Sequence, residues 1–109
     1  MANKKRYYWL KLQKDFFKSE IIKRLRRLEN GDTLIIIYFK LLLESLESDG
    51  KLFYEGIEDD YISEIALLID EDVADVKRCV DELLKMNVVK VLEDKTLIFE
   101  NREGGQYGK

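Results

Sequence analysis

The sequence predicts an α+β fold, mostly helical, in which a helix-turn-helix is followed by a β-hairpin, the winged helix-turn-helix arrangement. Residues 59–69 and 72–87 carry apolar side chains at the three- and four-residue spacing of a buried helical face. Residues 88–92 and 96–99 are apolar, β-branched runs with three charged residues between them, which is typical of a hairpin. These observations place two helices and a hairpin in the second half of the chain.

The chain before this motif predicts an N-terminal strand and helix extension. Residues 7–12 begin with aromatic side chains and then alternate, which predicts a strand at the edge of the domain. Ser19 is placed to cap a helix whose apolar stripe ends at Leu28. Gly31 is expected to end that helix in the left-handed conformation.

Residues 33–46 predict a helix that is apolar almost all round, so it is either wrapped on several sides or paired with another subunit. Residues 48–50 predict a turn, and residues 51–54 a short strand that can join the hairpin in a small antiparallel sheet. The length fits one domain over residues 1–102. The glycine-rich residues 103–109 are expected to be a flexible tail or the start of a linker to a C-terminal region.

The composition argues against several classes of function. There is no apolar run long enough to span a membrane and no secretory signal, so we expect an intracellular protein without a membrane partner. With no His and a single cysteine, Cys79, most metal sites and nucleophile–base pairs are excluded. No phosphate-binding loop occurs, and the acidic run from Asp70 has Asp75 where a calcium loop needs Gly. We expect no enzymatic activity, no metal and no cofactor.

Charge is divided unevenly along the chain. The net charge is −3, yet residues 1–27 contain ten Lys and Arg against two acidic residues, and the remainder contains nine against twenty. A basic end on an acidic body can steer a polyanion to one face. If DNA is bound, the basic segment supplies much of the affinity by counterion release, and binding depends steeply on salt. The same charges can instead dock the basic end of one copy on the acidic body of another.

The candidate DNA contacts are thirteen cations, chosen by charge and geometry. In the second helix of the motif, Arg78 with Lys77 beside it could bind a guanine edge, and the hairpin lysines could reach phosphates. The face opposite the apolar stripe, which includes Asp75 and Glu82, carries more acidic than basic residues, so this helix is either a base reader or part of an assembly module. The thirteen are Lys4, Lys5, Arg6, Lys11, Lys14, Lys23, Arg24, Arg26, Arg27, Lys77, Arg78, Lys90 and Lys95.

Three aromatic residues, Tyr7, Tyr8 and Trp9, lie between basic residues near the N-terminus. Such rings could stack on unpaired bases. We expect instead that they form an edge strand packed on the core, in which at least Trp9 is buried.

Four short motifs follow one another along the chain. They are Tyr7-Tyr8-Trp9-Leu10-Lys11-Leu12 with Asp15-Phe16-Phe17, then Gly31-Asp32-Thr33, then Asp49-Gly50-Lys51-Leu52, then Glu55-Gly56-Ile57-Glu58-Asp59-Asp60. In this order they resemble the N-terminal domain of phage replisome organisers, relatives of the DnaD-like primosome proteins of Gram-positive bacteria and their prophages. The resemblance covers residues 5–102. It implies a winged-helix domain in the bacterial host cytoplasm that binds duplex origin DNA and forms a homodimer or higher oligomer, joined to a C-terminal region that recruits helicase-loading machinery.

The expected function is therefore initiation of phage DNA replication by a non-catalytic domain. One alternative is a dimeric winged-helix transcription repressor, which needs the same groove-binding module and would bind at a promoter instead of an origin. The other is an oligomerisation scaffold without direct DNA binding, in which basic and acidic surfaces of neighbouring copies meet. Salt would dissolve such an oligomer, whereas an oligomer built on an apolar interface would persist.

Overall fold

The computed structural model describes residues 8–100. The predicted tail, residues 103–109, and the candidate contacts Lys4, Lys5 and Arg6 lie outside the described residues. The elements are α1 (Glu20–Arg26), α2 (Gly31–Ser45), β1 (Lys51–Leu52), α3 (Tyr61–Ile69), α4 (Val73–Lys85), β2 (Val89–Val91) and β3 (Leu97–Phe99), with short 3₁₀ turns at Phe16–Lys18 and Leu46–Ser48. Within the described range the fold is α+β and mostly helical, as predicted.

Helices α3 and α4 confirm the two helices predicted over residues 59–69 and 72–87, with bounds that differ by at most two residues. Both begin at an aspartate cap. The side chain of Asp60 accepts a backbone N–H at 2.7 Å, and that of Asp72 accepts two at 3.0 and 3.3 Å. Asn87, with φ of 60°, reverses the chain after α4. Acidic residues placed at helix starts thus fix where both helices begin.

The three strands form one antiparallel sheet in the order β1-β3-β2. Val89 is opposite Phe99 and Val91 is opposite Leu97, which gives the predicted hairpin. Strand β1 pairs with β3 through Leu52 and Leu97, so the predicted three-stranded sheet is also confirmed. The sheet closes one end of the helical core.

Helix α2 is the centre of the core. It packs against α1, α3, α4 and β1, and residues Leu34, Ile37, Tyr38, Leu41 and Leu42 are completely buried. This confirms the core helix predicted from its all-round apolar character. Part of its surface remains uncovered, however, since the side chains on the outer side are about half exposed.

The strand predicted for residues 7–12 is wrong for the described residues 8–12, where Leu10 forms only an isolated bridge. Trp9 is 59% exposed and Leu12 is 47% exposed, so the expected burial of Trp9 is also wrong. Alternation predicts a strand because one face can be buried. Here only Leu10 packs against the core, and a strand with no buried face gains too little to form a ladder.

The sequence predicts that Gly31 ends α1 in the left-handed conformation, and this prediction is wrong. Asn30 has that conformation, with φ of 58°, and Gly31 is the first residue of α2. A Cβ atom on Gly31 would lie 2.3 Å from the carbonyl oxygen of Arg26. Glycine is therefore required here by the close approach of α1 to α2 and not by backbone dihedral angles.

Candidate nucleic-acid interface

Helix α1 has an apolar inner face and a basic outer face. Ile22 and Leu25 are buried against the core, and the Ser19 hydroxyl accepts the N–H of Ile22 at 3.4 Å to cap the helix. The opposite side presents four exposed cations, as predicted: Lys23, Arg24, Arg26 and Arg27. Helix α1 therefore fixes these cations on one surface of the domain.

Arg24 joins this surface to α4. Its Nε lies 3.2 Å from Oε2 of Glu82, and one terminal nitrogen lies 3.3 Å from Glu20. The hydrogen bond to Glu82 raises the pKa of Arg24 above its ordinary value. Lys85 approaches the other oxygen of Glu82 at 3.6 Å. The contact places the basic face of α1 directly beside the C-terminal half of α4.

The remaining cations of α1 differ in their availability. Arg26 Nε lies 3.0 Å from Asp32 at the start of α2, in a pair that is largely exposed to solvent. Lys23 and Arg27 form no ion pair with any residue between 8 and 100. They lie one turn apart near the middle of the exposed face, so they are the cations of α1 best placed to contact phosphates.

The outward face predicted for α4 is wrong at Asp75 and Glu82, which are only 8% and 7% exposed. Asp75 accepts a hydrogen bond from the Asn30 side chain at 3.1 Å and also pairs with Arg78. The physical reason is that α1 and the turn after it pack on this side of α4. Helix α4 is therefore covered on two sides, by the core and by α1. The apolar periodicity of the sequence indicates only the side that faces the core.

The exposed surface of α4 is consequently less acidic than the sequence predicts. With the two buried carboxylates paired, its exposed charged residues are Lys77, Asp81 and Lys85. Lys77 Nζ lies 3.0 Å from Asp81 one turn along, in an exposed pair that solvent screens. The three side chains form one stripe along the exposed side of α4.

Arg78 is less available for base contacts than predicted. Its guanidinium is bound to Asp75, and its side chain is 34% exposed. Its Nε is buried without a hydrogen-bond partner among the described residues. A base contact by Arg78 must compete with this intramolecular pair.

The hairpin places two further candidate contacts. Lys90 Nζ on β2 lies 3.5 Å from Glu100, which partly neutralises it. Lys95 lies in the turn with φ of 70° and is exposed, and it forms no ion pair in the described part of the chain. The turn is held by the N–H of Thr96, which donates to Asp94 at 3.0 Å. Lys95 therefore projects from a fixed turn.

A groove of about 480 Å³ lies between residues 11–21, the end of α4 and the start of the sheet. Phe16, Ile21, Met86 and Val88 form its apolar part. The candidate contact Lys11 lies at its edge, and Lys14 is exposed nearby in the chain. Sequence reasoning did not propose the groove cations Lys18 and Lys85 as contacts. The only signal for them was their place in the basic segment and on the face of α4.

The described residues 8–100 contain neither a metal site nor a membrane-spanning helix. No group of three or more acidic or cysteine side chains in this range is arranged to hold a metal ion. No helix there has both the length and the apolar character needed to cross a membrane.

A model of one protein family, described as the N-terminal phage replisome organiser, matches residues 9–107. No curated protein and no solved structure matches the chain. The family match confirms the resemblance indicated by the order of the four sequence motifs. The chain therefore belongs to the family of N-terminal phage replisome organisers.

Proposed function

We propose that this domain acts in the initiation of phage DNA replication, where it binds duplex origin DNA and assembles replication proteins without catalysing a reaction. The observation that carries the proposal is the set of exposed cations on α1, which lies beside α4 through the contact between Arg24 and Glu82. Membership of the replisome organiser family supports the role in replication. The basic surface supports DNA as the ligand.

We propose a winged helix-turn-helix as the DNA-binding unit. The order of α2, β1, α3, α4 and the β2–β3 hairpin supports this assignment, as does the position of β1 at the β3 side of the sheet. In this arrangement α4 enters the major groove and the hairpin turn, with Lys95, lies over the neighbouring backbone.

Most of the affinity is proposed to come from phosphate contacts. Lys23, Arg27 and Lys95 have no carboxylate partner among residues 8–100, so they bind phosphates without breaking an existing pair. Arg78 is held by Asp75, which favours positioning contacts over base contacts at the centre of α4. Such an interface binds with strong salt dependence and modest sequence preference.

The test is fluorescence anisotropy of a labelled duplex titrated with the 109-residue chain at several salt concentrations. We expect the double variant Lys23→Ala, Arg27→Ala to bind more weakly and to lower the slope of log affinity against log salt by about two. Lys51→Ala is the matched control, because it removes an exposed cation on β1 that lies off this surface. Unchanged affinity in the double variant, or no binding at low salt, would contradict the proposal.

We also propose that the domain self-associates through the uncovered side of α2. Ile36 and Leu43 are each 51% exposed there, and Phe17, 64% exposed, has its ring 6.4 Å from that of Phe39 on the same helix. A patch of apolar side chains on a helix and an adjoining aromatic ring is suited to a second copy.

Sedimentation velocity tests this association and separates it from the scaffold alternative. We expect Leu43→Lys to shift the protein towards monomer, whereas Leu92→Lys, an exposed position in the hairpin, leaves the association unchanged. An apolar interface persists at high salt. An oligomer that dissolves in salt, from a protein that does not bind DNA, would instead support a scaffold held by charge.

A further inference from the structure

We propose that residues 8–14 and the adjoining groove form a second nucleic-acid site, which binds single-stranded DNA by stacking bases on Tyr8 and Trp9. The proposal goes beyond duplex binding, because neither the hairpin nor the exposed cations Lys23 and Arg27 take part in it. It supplies the domain with a means to hold a strand that has been separated from its complement.

The first observation is the exposure of two neighbouring aromatic rings. Trp9 is 59% exposed and Tyr8 is 42% exposed. Neither ring takes part in the ring contacts among the described residues, which all involve the core aromatics around Tyr38 and Phe16. Large aromatic side chains gain free energy from burial, so two adjacent rings left in solvent are suited to an external partner.

The second observation is the charge beside these rings. Lys11 and Lys14 are exposed and form no ion pair with residues 8–100. Exposed aromatic rings combined with free cations are the means by which many proteins bind single strands, since rings stack on bases and cations neutralise phosphates.

The third observation is the groove that continues from Lys11. Its volume of about 480 Å³ lies within the usual range for small-molecule sites, roughly 300–1,000 Å³, and part of its lining is apolar. Two of its carboxylates are already paired, Glu20 with Arg24 and Glu100 with Lys90. The cations of the lining outnumber its carboxylates, which favours a ligand with phosphates over an acidic or neutral peptide.

The geometry favours single strands over duplex. In a duplex each base is stacked between its neighbours and cannot reach a ring on a protein surface without being extruded, at a cost of a few kcal/mol. An unpaired base has both faces free. The rings of Tyr8 and Trp9 can therefore bind a separated strand and not the paired one.

Trp9 is the only tryptophan of the chain, so its fluorescence reports on this site alone. The experiment titrates the 109-residue protein with an unlabelled thymidine oligonucleotide of about 12 nucleotides, a length within the range of single-strand sites. We expect the oligonucleotide to quench the Trp9 emission and added salt to restore it. A duplex of equal length is expected to quench it much less.

Two double variants separate this site from the duplex site. Tyr8→Ala, Trp9→Ala is expected to weaken binding of a labelled thymidine oligonucleotide about tenfold or more while leaving duplex affinity unchanged. Lys23→Ala, Arg27→Ala is expected to weaken duplex binding and to leave the affinity for the oligonucleotide unchanged. All four side chains are exposed, so both variants retain the core, and equal thermal unfolding by circular dichroism checks this.

Three results would overturn the proposal. The first is no quenching by the oligonucleotide at low salt, and the second is full oligonucleotide affinity in the variant without the two rings. The third is quenching by an acidic peptide but not by the oligonucleotide, which would assign the surface to a protein partner. Oligonucleotide binding by a parent protein that binds no duplex even at low salt would contradict only the proposed duplex function.

Discussion

Arg24 Nε lies 3.2 Å from Oε2 of Glu82, and this contact joins α1 to α4 across 58 positions of sequence. The Glu82 side chain is only 9% exposed, so its charge depends on Arg24 and on Lys85 at 3.6 Å. We expect Glu82→Ala to lower the free energy of unfolding by about 2 kcal/mol, because hydrogen bonds to a buried charged group are lost. Urea unfolding measures the change.

Glu44→Ala is the control for this prediction. Glu44 is exposed on α2, so its removal is expected to change the free energy of unfolding by less than about 0.5 kcal/mol. Equal stability of the Glu82 and Glu44 variants would show that α1 is not held to α4 by this contact.

Gly31→Ala tests the close approach of α1 and α2. The added Cβ would lie 2.3 Å from the carbonyl oxygen of Arg26, a backbone atom that cannot move alone. We expect a loss of about 1–3 kcal/mol in the free energy of unfolding, as for other overpacked sites. Gly56→Ala is the comparison, since its Cβ meets nothing within 4 Å and only its φ of 78° resists the change. A stable Gly31→Ala protein would contradict the packing described here.

The carboxylate of Glu64 accepts backbone N–H groups of Glu55 and Ile57 at 2.7 Å each and that of Glu58 at 3.3 Å. These hydrogen bonds, with that of Glu55 the largest contribution, hold the pKa of Glu64 below its ordinary value of 4.5. A carboxyl group with a lowered pKa in the folded state stabilises the fold above the pKa of the unfolded chain. That contribution is lost as the pH falls from 4.5 through the folded-state pKa.

We therefore expect Glu64→Gln to unfold at lower urea concentration than the parent protein at neutral pH. The difference should shrink as the pH is lowered below 4.5, because the parent carboxylate then becomes protonated. Glu44→Gln, at an exposed position on α2, should unfold at nearly the same urea concentration as the parent protein at neutral pH. A difference in stability that stays constant down to about pH 3 would show that it comes from the changed packing of the side chain and not from loss of the carboxylate charge.

Burial raises the pKa of the Cys79 thiol to about 12, and its Sγ lies 3.5 Å from the carbonyl oxygen of Leu34. Only the thiolate reacts with alkylating reagents, and at pH 8 about one thiol in ten thousand would be ionised. We expect no modification of the folded protein and one equivalent in urea, as measured by mass spectrometry. Rapid modification without denaturant would show that α4 opens readily from the core.

The parts of the fold that were predicted correctly depend on local patterns. Helices α3 and α4 follow from apolar spacing and from aspartate caps, and the hairpin follows from two β-branched runs. The strand expected over residues 7–12 failed because alternation cannot tell whether a core lies beneath it. Gly31 was given the wrong role because the backbone that approaches it, at Arg26, is fixed only by the packing of two helices.

The basic residues of the candidate site could be predicted from the sequence, but the ion pairs that they form could not. The sequence located the basic segment, yet it did not indicate that Arg24 is bound to Glu82, whereas Lys23 and Arg27 have no partner between residues 8 and 100. Asp75 lies opposite the apolar stripe on a helical projection, and only the packing of a second neighbour buries it. Contacts of this kind join distant parts of the chain, so no local pattern reports them.

Lys40 is the single basic residue of α2, and it lies between the exposed Ile36 and Leu43. Its Nζ donates to the carbonyl oxygen of Ile69 at 2.9 Å and to Glu71 at 2.7 Å, at the turn between α3 and α4. The surface proposed for a second copy and the orientation of the proposed DNA-binding helix therefore share one lysine. If the proposed dimerisation shifts this lysine, thermodynamic linkage requires the proposed DNA binding and the dimerisation to change each other's affinity by the same factor.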